Sequence, residues 1–314
     1  MLESVWPRAA SPAMMYAMDL PPGLHVRPLV MADAVPVADL RRAGEVHDVG
    51  EALIDDEDII GDWRRPSFDL ASQSIGVLDG ERLVGYAEVF KSRYAEGMVH
   101  PDHRRRGIGA ALSGWTQDLA RAGGGTLVGQ SVPSGGDAEH LLETLGYRER
   151  WMIWVLELPE GSVIEPQQLK PGYAIREIRA DDEQAAYQLI EDAFNEWPDR
   201  QPKSFDDWAA TSVLRPGFEP WQLRLVCDPA GTPVGVAFLI VSGDCGFIDQ
   251  LAVRADQRGL GLARALLADS FEVAHSRGAR RCEVSTDSRT GALGLYHRVA
   301  MQVTMTWRHL AIEL

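Results

Sequence analysis

The chain has 314 residues, a length that allows about two domains, each burying its own core. Its 31 Lys and Arg against 46 Asp and Glu give a formal net charge of −15, which excludes polyanions such as nucleic acid or an anionic membrane face as partners. The 45% hydrophobic content is that of an ordinary globular protein, with no unbroken apolar run long enough to span a membrane.

Residues 1–23, MLESVWPRAASPAMMYAMDLPPG, lack the basic start and long apolar stretch of a secretion signal and are expected to form a flexible tail. A short strand around Val26 and Arg27 precedes a helical region, and alternating patterns predict strands over ERLVGYAEVF (81–90) and EGMVHP (96–101). HRRRGIGAALSGW (103–115) follows, setting three arginines beside Gly107 and Gly109. It runs into a helix whose Ile108, Ala111, Leu112, Trp115 and Leu119 share one face. A strand, a short helix and a closing strand complete a domain expected over 24–158. The proline- and glycine-rich stretch 159–171 reads as a linker.

The second domain, expected over 172–314, repeats the order. Strands are predicted in WQLRLVC (221–227), PVGVAFLIV (233–241) and GFIDQLAV (246–253). QRGLGLARALL (257–267) opens a helix with Ala263, Leu266, Leu267, Phe271 and Ala274 on one face. A shift of 154 residues lays Val99, Asp102, Arg104 and Gly107 on Val253, Asp256, Arg258 and Gly261, and carries Leu142 onto Tyr296 and Gly146 onto Ala300. Upstream, Gly85 falls on Gly235 at a shift of 150 and Val26 on Ile175 at 149; the extra residues belong in the loop VSGDCG (241–246). The chain is therefore an internal repeat.

A helix that starts directly after a strand leaves its first amides without acceptors and carries partial positive charge there. Glycines allow a phosphate close to the backbone, so each turn is suited to a diphosphate. Neither copy is a Walker A loop. The dinucleotide fingerprint fails at Leu112 and Arg264. Both satisfy Arg-x-x-Gly-x-Gly/Ala, and this resembles motif A of the GNAT superfamily of N-acetyltransferases across nearly the whole chain after residue 24.

The resemblance implies an α/β fold of two tandem GNAT domains, each a central mixed β-sheet flanked by helices. It implies acetyl-CoA as acyl donor and no metal. Acetyl-CoA contacts are implied at Met98, Val99, Arg104, Arg105, Arg106, Gly107, Ile108, Gly109 and Ala110 in the first copy. In the second they are implied at Leu251, Ala252, Val253, Arg258, Gly259, Leu260, Gly261, Leu262, Ala263 and Arg264. STDSRTGALGLYHRVAM (285–301) looks like the family's closing segment and puts Tyr296 where a general acid is expected. Asp249, four residues before Val253 and so on the same strand face, is the candidate base. A packing tyrosine with a satisfied hydroxyl and a strand-edge carboxylate are the alternatives. Ala255, Arg289 and Ala300 depart from the family's usual proline, asparagine and glycine, and Arg289 puts cofactor contacts near that helix in doubt.

In the first copy Leu142 and Ala95 occupy the places of Tyr296 and Asp249, so that half is expected to support its partner or bind acetyl-CoA weakly. GGGT and SGGD, near residues 123–137, are expected to loosen it, and His100 and His103 are expected to be exposed loop residues. In EDAFNEWPDRQPKSFDDW (191–208), Asp192, Glu196, Asp206 and Asp207 could attract a cation while Phe194, Trp197, Phe205 and Trp208 cover its apolar body. A solvated face over core aromatics is the alternative. Cys227, Cys245 and Cys282 are too scattered for a disulfide framework or zinc site and are expected to be small buried groups in a reducing cytoplasm. No histidine is placed by sequence to activate Cys282. The expectation is a cytoplasmic N-acetyltransferase for a small-molecule amine, monomeric or homodimeric, working mainly in its C-terminal half. A non-catalytic acyl-CoA sensor and a protein acetyltransferase are the rivals.

Overall fold

The computed structural model describes residues 18–165 and 168–314. The expected tail therefore lies outside the described residues up to position 17, as do Pro166 and Gln167 of the expected linker. In chain order the first repeat holds β1 (Leu24–Arg27), α1 (Ala34–Val49), α2 (Asp56–Trp63), α3 (Leu70–Gln73), β2 (Ser74–Asp79), β3 (Arg82–Phe90), β4 (Tyr94–Val99), α4 (Ile108–Ala122), β5 (Leu127–Pro133), α5 (Asp137–Thr144) and β6 (Arg148–Glu157). The second holds β7 (Ala174–Glu177), α6 (Glu183–Phe194), α7 (Phe205–Thr211), β8 (Leu223–Cys227), β9 (Pro233–Ser242), β10 (Cys245–Val253), α8 (Leu262–Ser276), β11 (Arg281–Asp287), α9 (Leu293–Arg298) and β12 (Gln302–Glu313). No helix of the described residues is long and apolar enough to cross a membrane.

The chain divides into two compact units. The first runs to Met152 and includes Trp307–Leu314; the second is Ile153–Thr306. In the first, β1 to β4 pair antiparallel in sequence, β4 meets β5 in parallel, and Trp307–Glu313 of β12 lies antiparallel to β5. In the second, β7 to β10 pair antiparallel, β10 runs parallel to β11, and Ile153–Glu157 of β6 lies antiparallel to β11. Each unit is a mixed sheet with helices on its faces, as the repeat implies.

The units depart from the repeat boundaries 24–158 and 172–314 at the closing strands, for the boundary falls inside β6 and inside β12. The cores record this. Leu156 and Leu158 pack with Leu239, Ile248 and Phe271, whereas Leu310 packs with Val132 and Leu142. Both closing strands are apolar, so period alone cannot say which sheet each completes; packing decides it.

The helices after the two glycine-rich turns bury the predicted faces. Ile108, Leu112 and Trp115 are buried on α4, and Leu266, Leu267, Phe271 and Ala274 on α8, with Ala111, Leu119 and Ala263 half-buried. Each buried Leu, Ile or Phe among them contributes roughly 1.5–3 kcal/mol, which fixes these helices against their sheets. The glycines near 123–137 include one required by packing: a Cβ on Gly125 would lie 2.1 Å from the Ser92 carbonyl oxygen. Gly146 and Ala300, paired by the repeat, both take positive φ, 95° and 67°.

Candidate active site

In the second unit, β10 ends at Val253 and the chain turns through Gly259 (φ 78°) and Gly261 (φ 79°) into α8. Ala265 N donates to Gly261 O at 3.0 Å, so the amides before Ala265 have no acceptor inside the helix. The first unit repeats this backbone, with Arg105 (φ 60°) and Gly107 (φ 88°) in the two positions and Ala111 N donating to Gly107 O at 3.1 Å. Leu262 and Ile108 are buried, so at these positions the turn offers main-chain N–H groups rather than side chains. Such a donor set, with the positive end of a helix dipole, fits a pyrophosphate.

The motif arginines are engaged differently from what the resemblance implied. Arg258 Nε donates to Val253 O at 3.1 Å while Nη1 and Nη2 grip the Glu196 carboxylate at 2.7 and 2.8 Å. Arg104 does the same in the first unit, with Nε on Val99 O at 3.2 Å and Nη1 and Nη2 on Asp48 at 2.5 and 2.9 Å. Both guanidinium groups thus tie the strand end to the C-terminal end of the unit's first long helix, at Asp48 in the last turn of α1 and at Glu196 just past α6. The Arg258 bond holds the Glu196 carboxyl below the usual carboxylate range. Arg105 pairs with Asp137 and Arg264 Nε donates to Glu165 O at 3.2 Å, while Arg106 is exposed. Repeat alignment could have found the clamp, because Asp48 and Glu196 fall at a shift of 148, close to that of the first strands.

β10 pairs with β11 from Cys245↔Arg281 to Ile248↔Val284 and no further, although its pairing with β9 continues to Val253↔Gly235. The strands therefore part beyond Ile248. Arg254 N donates to Val234 O at 2.9 Å, so antiparallel alternation turns Ala252 toward β9 and turns the main chain of Leu251 and Val253 toward the opening. Of the predicted strand contacts, Leu251 and Val253 line this cleft; Ala252, with its methyl buried, faces away from it. A register shift between Ile248 and Gln250 places Asp249 in a β-bulge. Asp249 is exposed there, and the bulge breaks the period that was to put it on the face of Val253.

Tyr296 lies on α9 in one apolar cluster with Ile248 and Val284, the last paired residues before the strands part. Its ring is 5% exposed, and burial pushes its phenol up to about 12. No hydrogen bond joins its hydroxyl to another described residue, and the hydroxyl is not among the fully buried polar atoms left without a partner, so it reaches solvent while the ring is buried. A phenol so placed keeps its proton at neutral pH and has it to give. Arg289, the departure that put this helix in doubt, is held by Asp287 at 2.6 and 3.2 Å. Sequence reasoning missed Gln250, buried on β10 and accepting from the Trp208 indole at 3.1 Å.

The acidic and aromatic stretch is only partly available to a ligand. Glu191 is buried against Arg200 at 2.5 Å, Asp207 and Trp208 are buried, and Glu196 holds Arg258. Phe194 and Trp197 stack at 4.3 Å, with Arg200 5.6 Å from the Phe194 ring and Arg289 5.9 Å from Trp197, so these faces already hold cations. Asp192 and Asp206 remain exposed. A shallow, solvent-open recess of about 110 Å³ lies between the end of α6, at Asp192 and Glu196, and the end of β10, at Val253 and Arg258.

Cys282 does have a histidine beside it, His275 Nε2 at 3.7 Å. Burial pushes the thiol up to about 12, which keeps it protonated and a poor nucleophile. His103, expected to be exposed, is buried at 8%, because its ring packs on His100 and its Nε2 meets Asp79 at 3.3 Å. In the first unit Leu142 and Ala95 are buried apolar groups, and neither can move a proton. That unit also buries a carboxyl, Glu88, which accepts from the Trp63 indole at 2.9 Å and is pushed by burial, then by Glu96 and Asp62, up to about 8.

The model of the acetyltransferase (GNAT) family matches residues 40–147 and 183–301, one match in each repeat. Mycothiol acetyltransferase of Salinispora arenicola is 31% identical over 238 residues, 69% of this chain and 74% of its own. That of Sanguibacter keddieii is 29% identical over 285 residues, covering 84% and 88%. A GCN5-related N-acetyltransferase from Sphaerobacter thermophilus superposes with a TM-score of 0.72 at 29% identity over 94% of this chain and 96% of that one. A tandem GNAT protein from the clavulanic acid pathway shares the fold, with a TM-score of 0.71 at 18% identity over 92% and 98%. Two matches of one family model, one in each cradle-bearing repeat, agree with the geometry: the chain is a tandem member of the GNAT acetyltransferase family, an acyltransferase of a family that uses acyl-CoA donors.

Proposed function

We propose that this acyltransferase moves acetyl from acetyl-CoA to the amine of a small molecule, and that the second unit performs the reaction. The observation that carries the reading is Tyr296, whose ring is buried with Ile248 and Val284 at the point where β10 and β11 part, in the cluster that Leu251 packs against. The amides of Gly259 to Arg264 would hold the donor's pyrophosphate at the start of α8, and Leu251 and Val253 would bind its amide arm along the cleft. The donor supplies an activated thioester carbonyl. The chain's own contribution is to orient that carbonyl and move protons.

An alkylamine has a pKa near about 10.4 and arrives mostly protonated. Asp249, exposed on its bulge, takes that proton directly or through a water, and Tyr296 gives one to the leaving sulfur; each such group is worth roughly 10² to 10⁴ in rate. That the relatives are named mycothiol acetyltransferase supports a small-molecule acceptor class. The test is CoA release against a panel of small amines and amine-bearing peptides, with wild type and Tyr296→Phe. Turnover on small amines that falls at least tenfold in the variant supports the reading. Tight acetyl-CoA binding without turnover on any amine makes the chain a sensor, and turnover confined to peptides makes it a protein acetyltransferase.

A further inference from the structure

The two units differ at the edge of the cleft. In the first, β4 and β5 pair only at Tyr94↔Gly129 and then part, as β10 and β11 do after Ile248. His100 N donates to Val84 O at 2.9 Å, so the same alternation turns the main chain of Gly97 and Val99 into the opening. Val99 O is held by Arg104. Gly97 O, at the position of Leu251 O in the repeat, accepts from the Gln130 carboxamide at 3.0 Å across the cleft. In the second unit the place of Gln130 belongs to Val284, which has no polar atom to offer and is buried in the core. The cradle below is otherwise the same in both units, with positive φ at 105 and 107 as at 259 and 261.

We propose that the first unit contains a second acyl-CoA cleft that Gln130 latches shut. The ligand class is a thioester on an arm that carries secondary amides. Such an arm lies along a strand edge by donating its N–H groups to outward carbonyls. Gln130 donates a carboxamide N–H to the carbonyl the arm would use and spans the gap through which it would pass. The latch explains how a cradle can persist in a unit whose Leu142 and Ala95 cannot handle protons: the site keeps its backbone while its mouth is tied. The proposal rests on the reading that the second unit's cleft takes acyl-CoA.

The test is calorimetric titration of the full-length protein with acetyl-CoA, with melting curves to establish that each variant is folded. Wild type is expected to bind one equivalent, and Gln130→Ala two. Gln130→Glu keeps the side-chain volume but presents a carboxylate that cannot donate and repels the Gly97 carbonyl; it too is expected to bind two. Gly261→Val strains the second cradle at its left-handed position. It is expected to leave no bound equivalent alone and one when combined with Gln130→Ala. One equivalent in wild type and in both Gln130 variants overturns the latch and leaves the second-unit reading standing, as do two in wild type. None in wild type with one in Gln130→Ala overturns the second-unit reading alone, and none in any protein overturns both.

Discussion

Arg258 holds Glu196 through both terminal nitrogens, at 2.7 and 2.8 Å, while its Nε holds the last carbonyl of β10 at 3.1 Å. The motif arginine is thus a clamp between strand end and helix end, and in the proposed reading phosphate recognition would fall to the main chain. Glu196→Gln is expected to raise KM for acetyl-CoA about three- to tenfold while kcat stays within twofold. Because both side chains are nearly half exposed, the stability change is expected to stay under about 1 kcal/mol. Glu196 has a depressed folded-state pKa, so the pair stabilises above the unfolded value near about 4.3 and is lost as pH falls through the lower folded value. Steady-state kinetics at varied acetyl-CoA, with urea melts at pH 7 and pH 3, check both.

Tyr296→Phe preserves the ring, and the hydroxyl it removes makes no hydrogen bond to another described residue, so its folding stability should move by less than about 1 kcal/mol. Activity should fall at least tenfold, mainly in kcat. Since burial raises the phenol to about 12, wild-type kcat should show no alkaline loss from this group up to about pH 10. A pH profile that turns down near pH 8 and loses that limb in the variant would contradict this.

Ala300 stands with φ 67° where its repeat partner is Gly146 at 95°. An L side chain in this region costs roughly 1–2 kcal/mol, part of which glycine returns as extra unfolded-state freedom. Ala300→Gly is expected to stabilise the second unit by about 1 kcal/mol, read as a rise in melting temperature of about 2–4 °C. No change in activity is expected.

Glu88 is buried, and burial outweighs the attraction of the Arg65 guanidinium, so its folded-state pKa is raised to about 8. A raised carboxyl contributes most stability below the unfolded value near about 4.3 and loses it as pH rises through the folded value. Wild-type stability should therefore fall between about pH 4.5 and 8. Glu88→Gln, which can still accept from Trp63, should flatten that slope and be more stable than wild type above about pH 8 by at least about 1 kcal/mol. Denaturant melts across this range read the difference directly.

Much was legible in the order of residues. A shift of 154 positions revealed two units, glycine and arginine spacing located both turns, and helical periodicity placed Leu266, Leu267 and Phe271 in the core. These are local properties: a left-handed turn needs a residue that tolerates positive φ, and an amphipathic face needs only its own period. Tyr296 could be placed, but the burial of its ring against Ile248 and Val284 could not.

What tertiary structure alone decided depends on neighbours distant in sequence. The bulge that exposes Asp249 is a mismatch between β10 and β9, and the Gln130 bond spans a gap that exists only where two strands diverge. The closing strands have similar apolar patterns, so their assignment to one sheet or the other is settled by which core has room for Leu156 and which for Leu310. Periodicity says which face of a strand is apolar; only packing chooses the surface that face covers.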